Sequence, residues 1–339
     1  MQPVDQSVIK KLYIPPADSH KGQNGRLLII GGSHLFHAAS IWALTVASRI
    51  VDLVHYCSVE ENNQLVTRLK NEFRNGIVLE RKDVERYIVE DDCILIGPGM
   101  PRIENSKQKT QNSKLQLKSQ NLNSVLALED EGEQTGALTN YLLSKYQQKR
   151  WVIDAGALQM VDPKLIPNHS VLTPHLGEFI GAFKDDLSKA AEDAGQNFFD
   201  PLLAHEISSF LHNLKSHSLG KRSAKILSLA SRQAAALYIA QKYNCTLLLK
   251  GQEDVVCNLS ECQVITGGNA GMTKGGTGDV LAGLVAALAC KNDPFLSAVA
   301  GSFINKKAGD ELYQKVGPYF NASDLAGQLP LTMGRLMSV

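Results

Sequence analysis

The sequence predicts an α/β protein, a three-layer α/β/α sandwich around a mostly parallel central sheet. Three observations predict it. Short β-branched-rich runs recur along the chain, apolar on both faces, as strands covered by helices on either side must be. Stretches with helical spacing lie between these runs, so strand and helix alternate. Glycine-rich or polar segments follow the runs, and a parallel sheet would gather them along the edge where such sheets hold ligands.

In chain order the strands are expected at Arg26–Ile30, Asp52–Ser58, Gly76–Leu79, Cys93–Ile96, Trp151–Ile153, Ser170–Leu172 and Thr246–Leu249. Ala38–Ile50, rich in alanine and aliphatics, amphipathic Glu61–Phe73 and the long stretch Ala224–Lys242 read as helices. From Val280 to Ala289 the residues are small and apolar, which predicts a buried helix. Two segments interrupt the alternation. Residues 102–123, rich in Asn, Gln, Ser and Lys, read as a surface insertion, and 184–221 as a second insertion of helical composition. The second contains His205, His212 and His217, without the Cys or carboxylate partners a metal site needs. No linker or repeat divides the 339 residues, so one domain spanning 1–339 is expected.

The formal net charge of +1 gives no reason to expect nucleic acid, and no apolar stretch approaches the length of a membrane span. The N-terminus lacks the basic and apolar regions of a signal peptide, so a soluble, cytoplasmic protein is expected. The 6 cysteines are scattered, and only Cys257 and Cys262 are close, with no second pair to complete a zinc site. Reduced, structural thiols are the expectation. Sequons at Asn168, Asn244, Asn258 and Asn321 carry little meaning without a secretion signal.

The segment Lys274-Gly275-Gly276-Thr277-Gly278-Asp279 precedes the buried helix. Glycines there let backbone N–H groups approach phosphate oxygens, and the helix dipole favours an anion at the same place. Asp279 is either a helix cap or a base beside bound phosphate. The other strand ends carry Gly31-Gly32-Ser33, Gly97-Pro98-Gly99-Met100-Pro101, Asp154, Thr173-Pro174-His175-Leu176-Gly177-Glu178 and Lys250-Gly251. His175 suits substrate holding better than acid–base chemistry, because the sequence shows no carboxylate partner for it, while Glu178 either caps a helix or faces the site. Lys250 ends an apolar strand and is expected to meet a nucleotide anion. Asp154 is either a turn residue or a water-mediated organiser of Mg²⁺. His34 and His37 have helical spacing, but no third ligand completes a metal site. Lys21 and Gly25 could close over phosphates.

Together these stretches closely resemble the ADP/ATP-dependent NAD(P)H-hydrate dehydratases of the ribokinase-like superfamily. The matching motifs are His20-Lys21…Gly25-Arg26, Leu27–Ser33, Gly97–Pro101, Asp154–Leu158, Leu172–Phe179, Leu249–Gly251 and Asn269–Gly283, in family order. The resemblance implies a ribokinase-like fold and a repair reaction: hydrated NADH or NADPH is dehydrated to the normal cofactor at the expense of a nucleotide phosphoanhydride. It implies Asp279 as catalytic base, with Ala39, Gly99, His175 and Asp279 at the hydrated dinucleotide. Lys250, Gly251, Gln252, Glu253 and Asp254, with Gly275, Gly276 and Gly278, would meet the nucleotide. Mg²⁺ is implied as cofactor with ADP or ATP as co-substrate, the single-domain form leaning to ADP. The resemblance also implies a homo-oligomer, a stand-alone dehydratase and a separate epimerase. Ala38 stands where the family usually has glycine, Phe36-His37 where it has tyrosine or proline nearby, and Ile50–Leu53 lacks the usual glycines. The alternatives are a kinase of the same superfamily acting on a vitamin-like alcohol, and a non-catalytic nucleotide-binding protein.

Overall fold

The computed structural model describes residues 4–70, 75–103, 121–193, 205–209 and 228–337. Their strands are β1 (Arg26–Ile30), β2 (Leu53–Cys57), β3 (Ile77–Leu79), β4 (Cys93–Ile96), β5 (Arg150–Ile153), β6 (Val171–Leu172), β7 (Thr246–Leu249), β8 (Asp254–Cys257) and β9 (Cys262–Ile265). Among the described residues they form one 9-stranded sheet in the order β3-β2-β1-β4-β5-β6-β7-β8-β9. Pairing is parallel from β3 to β7 and antiparallel at β7–β8 and β8–β9. The mostly parallel sheet expected from the sequence is therefore present, with a closing antiparallel hairpin, β8–β9, that the sequence reading did not include.

Helices among the described residues include α1 (His37–Ala47), α2 (Glu60–Leu69), α3 (Val84–Glu90), α4 (Leu122–Leu126), α5 (Glu131–Lys145), α6 (Ala155–Met160), α7 (Leu176–Asp193), α8 (Leu229–Lys242), α9 (Thr277–Ala289), α10 (Pro294–Val316) and α11 (Ala322–Met337). Alternation of side chains splits the core into two layers. Leu27 and Ile29 of β1 pack with α1, α9, α10 and α11, whereas Leu28 and Ile30 pack with α3, α5, α7 and α8. Every residue of α9 from Val280 to Ala289 is buried. Its approach to α1 depends on Gly283, where a Cβ would stand 2.6 Å from the Ala43 Cα.

The chain runs outward from β1 through β2 to β3, then returns to place β4 on the other side of β1. The crevice outside the carboxyl ends of β1 and β4 is thus a topological switch point, a usual ligand position in such sheets. There Gly32 N–H donates to the Pro98 carbonyl at 2.7 Å.

Three expectations need correction. Residues 121–123 belong to the packed fold: Asn121 caps α4 and Leu122 is buried, so the first insertion ends earlier. Residues 184–193 continue α7, with Leu187 and Ala190 buried against the sheet layer. Most of 102–123, part of 184–221, His212 and His217 fall outside the described residues. Cys257 and Cys262 form a disulfide instead of remaining reduced. They are directly paired across β8–β9, and the turn between those strands brings their sulfurs together. The thiols of Cys57, Cys93, Cys245 and Cys290 are free and buried, and burial raises Cys57 to about 11 and Cys245 to about 12.

Candidate active site

The sheet brings four predicted side chains to one place. Lys250 directly follows β7, and its N–H donates to the Pro174 carbonyl at 2.8 Å, extending the parallel pairing to His175. The Lys250 ammonium lies 2.9 Å from Asp154 Oδ1 and 4.0 Å from Glu178 Oε2. Thr173 donates its hydroxyl to the same Asp154 oxygen at 2.8 Å. Ala155, next to Asp154, has φ 44, a left-handed conformation unfavourable for a residue bearing Cβ. That strained turn follows β5 immediately and accompanies the inward aim of the carboxylate.

Asp279 joins this cluster from α9. Gly276, at φ 94, is the N-cap, and Asp279 follows in the first turn without serving as the cap. Burial pushes its carboxyl up to about 7, Asp154 and Glu178 add to the rise, and Lys250 opposes it. Burial pulls the Lys250 ammonium down, but Asp154, Glu178 and Asp279 outweigh it, leaving its pKa above 10.5. A Cβ on Gly278 would lie 3.5 Å from Lys250 Nζ, so the ammonium and the glycine loop share one wall. A carboxyl poised near neutrality beside a helix N-terminus can take a proton from a hydroxyl attacking a bound phosphoryl group.

His175 has the carboxylate partner that the sequence did not reveal. It stands at the N-cap of α7, its Nδ1 accepting the Glu178 N–H at 3.1 Å while Glu178 Oε2 accepts the His175 N–H at 2.8 Å. This reciprocal pair is a capping box with histidine in the usual Ser/Thr place. With Nδ1 accepting, Nε2 carries the proton of the neutral ring and can donate to a ligand. Gln159 also donates to Glu178 Oε1, at 3.2 Å.

The switch-point crevice holds the remaining dinucleotide candidates. A Cβ on Gly99, at φ 74, would meet the Phe36 carbonyl oxygen at 2.7 Å and Ala39 Cβ at 3.0 Å. Ala39 and Gly99 are therefore neighbours. Trp42, one helical turn beyond Ala39, backs the glycine loop: a Gly276 Cβ would stand 2.2 Å from its ring.

On the other side of the loop a cavity of about 500 Å³ opens between β7–β9 and α10, lined among others by Lys250, Gly251, Gln252, Gly278, Asn305 and Lys306. Two of the expected nucleotide residues turn their carboxylates toward protein. Asp254 accepts from the Gly251 N–H at 2.8 Å and the Ser302 hydroxyl at 2.7 Å, and Glu253 pairs with Arg232 at 3.1 Å. Their side chains shape the turn around Gly251. Lys306 was not among the sequence candidates. Its buried ammonium donates to the Gly251, Gln252 and Gly267 carbonyls at 3.2, 3.0 and 3.3 Å, and lies 3.4 Å from Asp254. Ser302, Asn305, Lys306 and Gly309 form a small or polar stripe at helical spacing on the buried face of α10, and that pattern was the available signal.

The remaining candidates engage protein or lie away from the cluster. His34 bonds Glu131 and His37 bonds Asn62, so the two rings do not converge. Gly25 precedes β1, which puts it and Lys21 at the amino end of the strands, opposite the phosphate loop. The Gly25 φ of 110 instead fits its contact with Cys290 and Val51. Lys274 turns its ammonium to the Pro318 and Phe320 carbonyls and thereby anchors the loop.

For Mg²⁺, oxygen donors are the right chemistry, yet no group of His, Cys, Asp or Glu among the described residues forms a metal-binding cluster. Three acids surround the single Lys250 ammonium, and the charges of Asp154 and Glu178 add to the rise that burial imposes on Asp279. That arrangement fits a hydrated cation that arrives on nucleotide phosphates better than a cage built of protein alone.

Solved structures place the fold in the ribokinase-like class. The chain matches the ADP/ATP-dependent NAD(P)H-hydrate dehydratase of Bacillus subtilis, co-crystallised with ATP/Mg²⁺, at TM-score 0.66 and 21% identity, covering 98% of this chain and 97% of that one. A hydroxyethylthiazole kinase of Pyrococcus horikoshii matches at TM-score 0.51 and 10% identity, covering 97% and 92%. Residues 27–200 and 212–331 match the family model for NAD(P)H-hydrate dehydratase, and the chain belongs to that family. It is 31% identical to the ADP-dependent (S)-NAD(P)H-hydrate dehydratase of Nitrosopumilus maritimus, covering 96% of this chain and 95% of the relative. It is 30% identical to the bifunctional NAD(P)H-hydrate repair enzyme Nnr of Methanocaldococcus jannaschii, where it covers 96% of itself but only 55% of the relative. The chain thus spans about half the length of that bifunctional protein.

Proposed function

We propose that this protein dehydrates hydrated NADH or NADPH, using ADP or ATP to activate the ring hydroxyl as a phosphate ester. The observation that carries the reading is Asp279, raised to about 7 within the Lys250–Asp154–Glu178 cluster at the N-terminus of α9. The N. maritimus and B. subtilis relatives, named for this activity, support it.

The nucleotide occupies the cavity beside α10, with its phosphates toward Gly275–Gly278. The hydrated ring lies across the loop, its dinucleotide over Gly99 and Ala39 and within reach of the His175 Nε2 proton. The hydroxyl oxygen bonds to the terminal phosphorus as Asp279 takes the hydroxyl proton, and the nucleotide leaves one phosphate shorter. The phosphate group then departs with its bonding electrons while the ring loses a proton, restoring the double bond. Amides of the α9 N-terminus and the Lys250 charge stabilise the transferred group. Asp154 and Glu178 would hold Mg²⁺ through water, and the ion would supply charge neutralisation of the phosphates.

The test is incubation of the purified protein with hydrated NADH, Mg²⁺ and either nucleotide. Return of reduced-nicotinamide absorbance with release of inorganic phosphate is expected. Accumulation of a stable phosphorylated alcohol would instead support a kinase, and no reaction with either nucleotide would sink the dehydratase reading.

A further inference from the structure

α1 meets α9 and its glycine loop in two different ways. At Gly283 the contact is backbone, since a Cβ there would stand 2.6 Å from the Ala43 Cα. At Gly276 it is a side chain: a Cβ would stand 2.2 Å from Cζ3 and 2.5 Å from Cε3 of Trp42. The two glycines are two helical turns apart, about 10 Å, so the indole must reach from its root beside Ala43 to the loop. Its Nε1–H donates to the Ser323 hydroxyl at 2.9 Å, which tethers the ring to the start of α11. The loop's other anchors lie elsewhere. Lys274 holds the Pro318 and Phe320 carbonyls, Gly271 rests on the Phe320 ring, and the Thr277 hydroxyl bonds the Met272 and Lys274 carbonyls. These contacts shape the loop and tie it to the segment before α11, whereas Trp42 ties it to the helix that carries Ala39.

A displacement at Gly276 reaches Asp279, because the Val280 N–H donates to the Gly276 carbonyl at 3.0 Å and closes the turn containing both. We propose that Trp42 is a positioning residue for phosphoryl transfer. Its tethered indole sets the gap between the loop bearing Asp279 and the dinucleotide over Ala39 and Gly99. This rests on the dehydratase reading and adds the residue that registers one ligand against the other. Trp42 does not line the nucleotide cavity, and Ala39 and Gly99 keep their backbone positions without it. Each ligand therefore binds without the indole, and the transfer step is what slows. Transfer depends steeply on placement, a misplacement of about 1 Å costing roughly 100-fold in rate.

The test compares three quantities: the single-turnover rate with hydrated NADH and ADP both saturating, the calorimetric affinity for ADP, and KM for hydrated NADH. Leucine is too short to reach Gly276, so Trp42→Leu should slow single turnover by roughly 10- to 100-fold. ADP affinity and KM should each change by less than about 3-fold, the mark of an interaction realised only in the transition state. Trp42→Phe returns a flat ring toward the loop and should recover most of the rate. Ser323→Ala keeps the indole but frees its edge, and should slow turnover by roughly 2- to 10-fold, the worth of one hydrogen bond. A wild-type rate in folded Trp42→Leu overturns the proposal. So does a loss carried by ADP affinity or KM instead of the rate, or a Trp42→Phe variant as impaired as Trp42→Leu. An unchanged rate in Ser323→Ala, an exposed position, overturns it whether or not Trp42→Leu folds. If the unaltered protein regenerates NADH, the dehydratase reading stands under each of these results and the role of Trp42 alone falls. If it regenerates none with either nucleotide, both fall.

Discussion

Asp279 shows how one position changes meaning with its surroundings. In the sequence it is a carboxylate opening a helix, a common and stabilising arrangement. In the fold Gly276 is the cap, and Asp279 faces two other acids and one lysine. Asp279→Ala should abolish dehydration while ADP still binds, measured by coupled turnover and calorimetry. Turnover at the wild-type level would remove the residue from the mechanism. Since the base must be ionised, kcat/KM should rise with pH through a midpoint of about 7. Stability should move the other way. Between 3.8 and about 7 the folded chain keeps a proton at Asp279 that the unfolded chain has lost, so stability falls across that window and the penalty is complete above it. Asp279→Asn should therefore be more stable than wild type at about pH 8, by at most roughly 4 kcal/mol, with the gain fading toward about pH 4. Urea denaturation at the two pH values measures it, and a gain independent of pH would contradict the assignment.

Elements differ in how far they could be read ahead. The parallel strands were legible because burial on both faces demands unbroken apolar runs: β1, β4 and β7 lie at the expected residues. The hairpin β8–β9 was not, since its short strands begin with Asp254 and Cys262 and follow a turn that resembles a loop. The glycine loop and the clustering of strand ends were legible from composition. Glu178 was legible as a possible helix cap and the structure bears that out, but His175 as its reciprocal partner was not, because histidine is an unusual N-cap. α10 gave the clearest omission. Lys306→Met should destabilise the protein by about 3–5 kcal/mol, because Asp254 would lose its buried cation, and should weaken ADP binding by loosening the turn at Gly251 and Gln252. Denaturant titration and calorimetry test the two effects together, and a variant of unchanged stability would show that the ammonium holds nothing. Gly283→Ala tests the other side of the site. Its Cβ meets the Ala43 backbone, so α1 and α9 must separate, at about 1–3 kcal/mol.

At the scale of the whole molecule, the sheet sets the two proposed substrates on opposite sides of one loop. The cavity proposed for the nucleotide lies beyond β7, and the crevice proposed for the dinucleotide lies at the β1–β4 switch point. Gly276 packs on Trp42, and Trp42 shares α1 with Ala39, so a single wall separates the compartments. Asp279 stands in that wall with the Lys250 ammonium beside it. This layout suits direct transfer between two ligands bound together, with Asp279 taking the hydroxyl proton instead of carrying phosphate itself. Initial rates measured over a matrix of hydrated NADH and ADP concentrations should therefore give intersecting double-reciprocal lines, the pattern of a ternary complex. Parallel lines, together with a phosphoryl group on the isolated protein that is released by alkali or hydroxylamine, would make a carboxylate the nucleophile. Asp279 would then have to face the phosphorus rather than the hydroxyl, and the dinucleotide crevice could fill only after the nucleotide product had left.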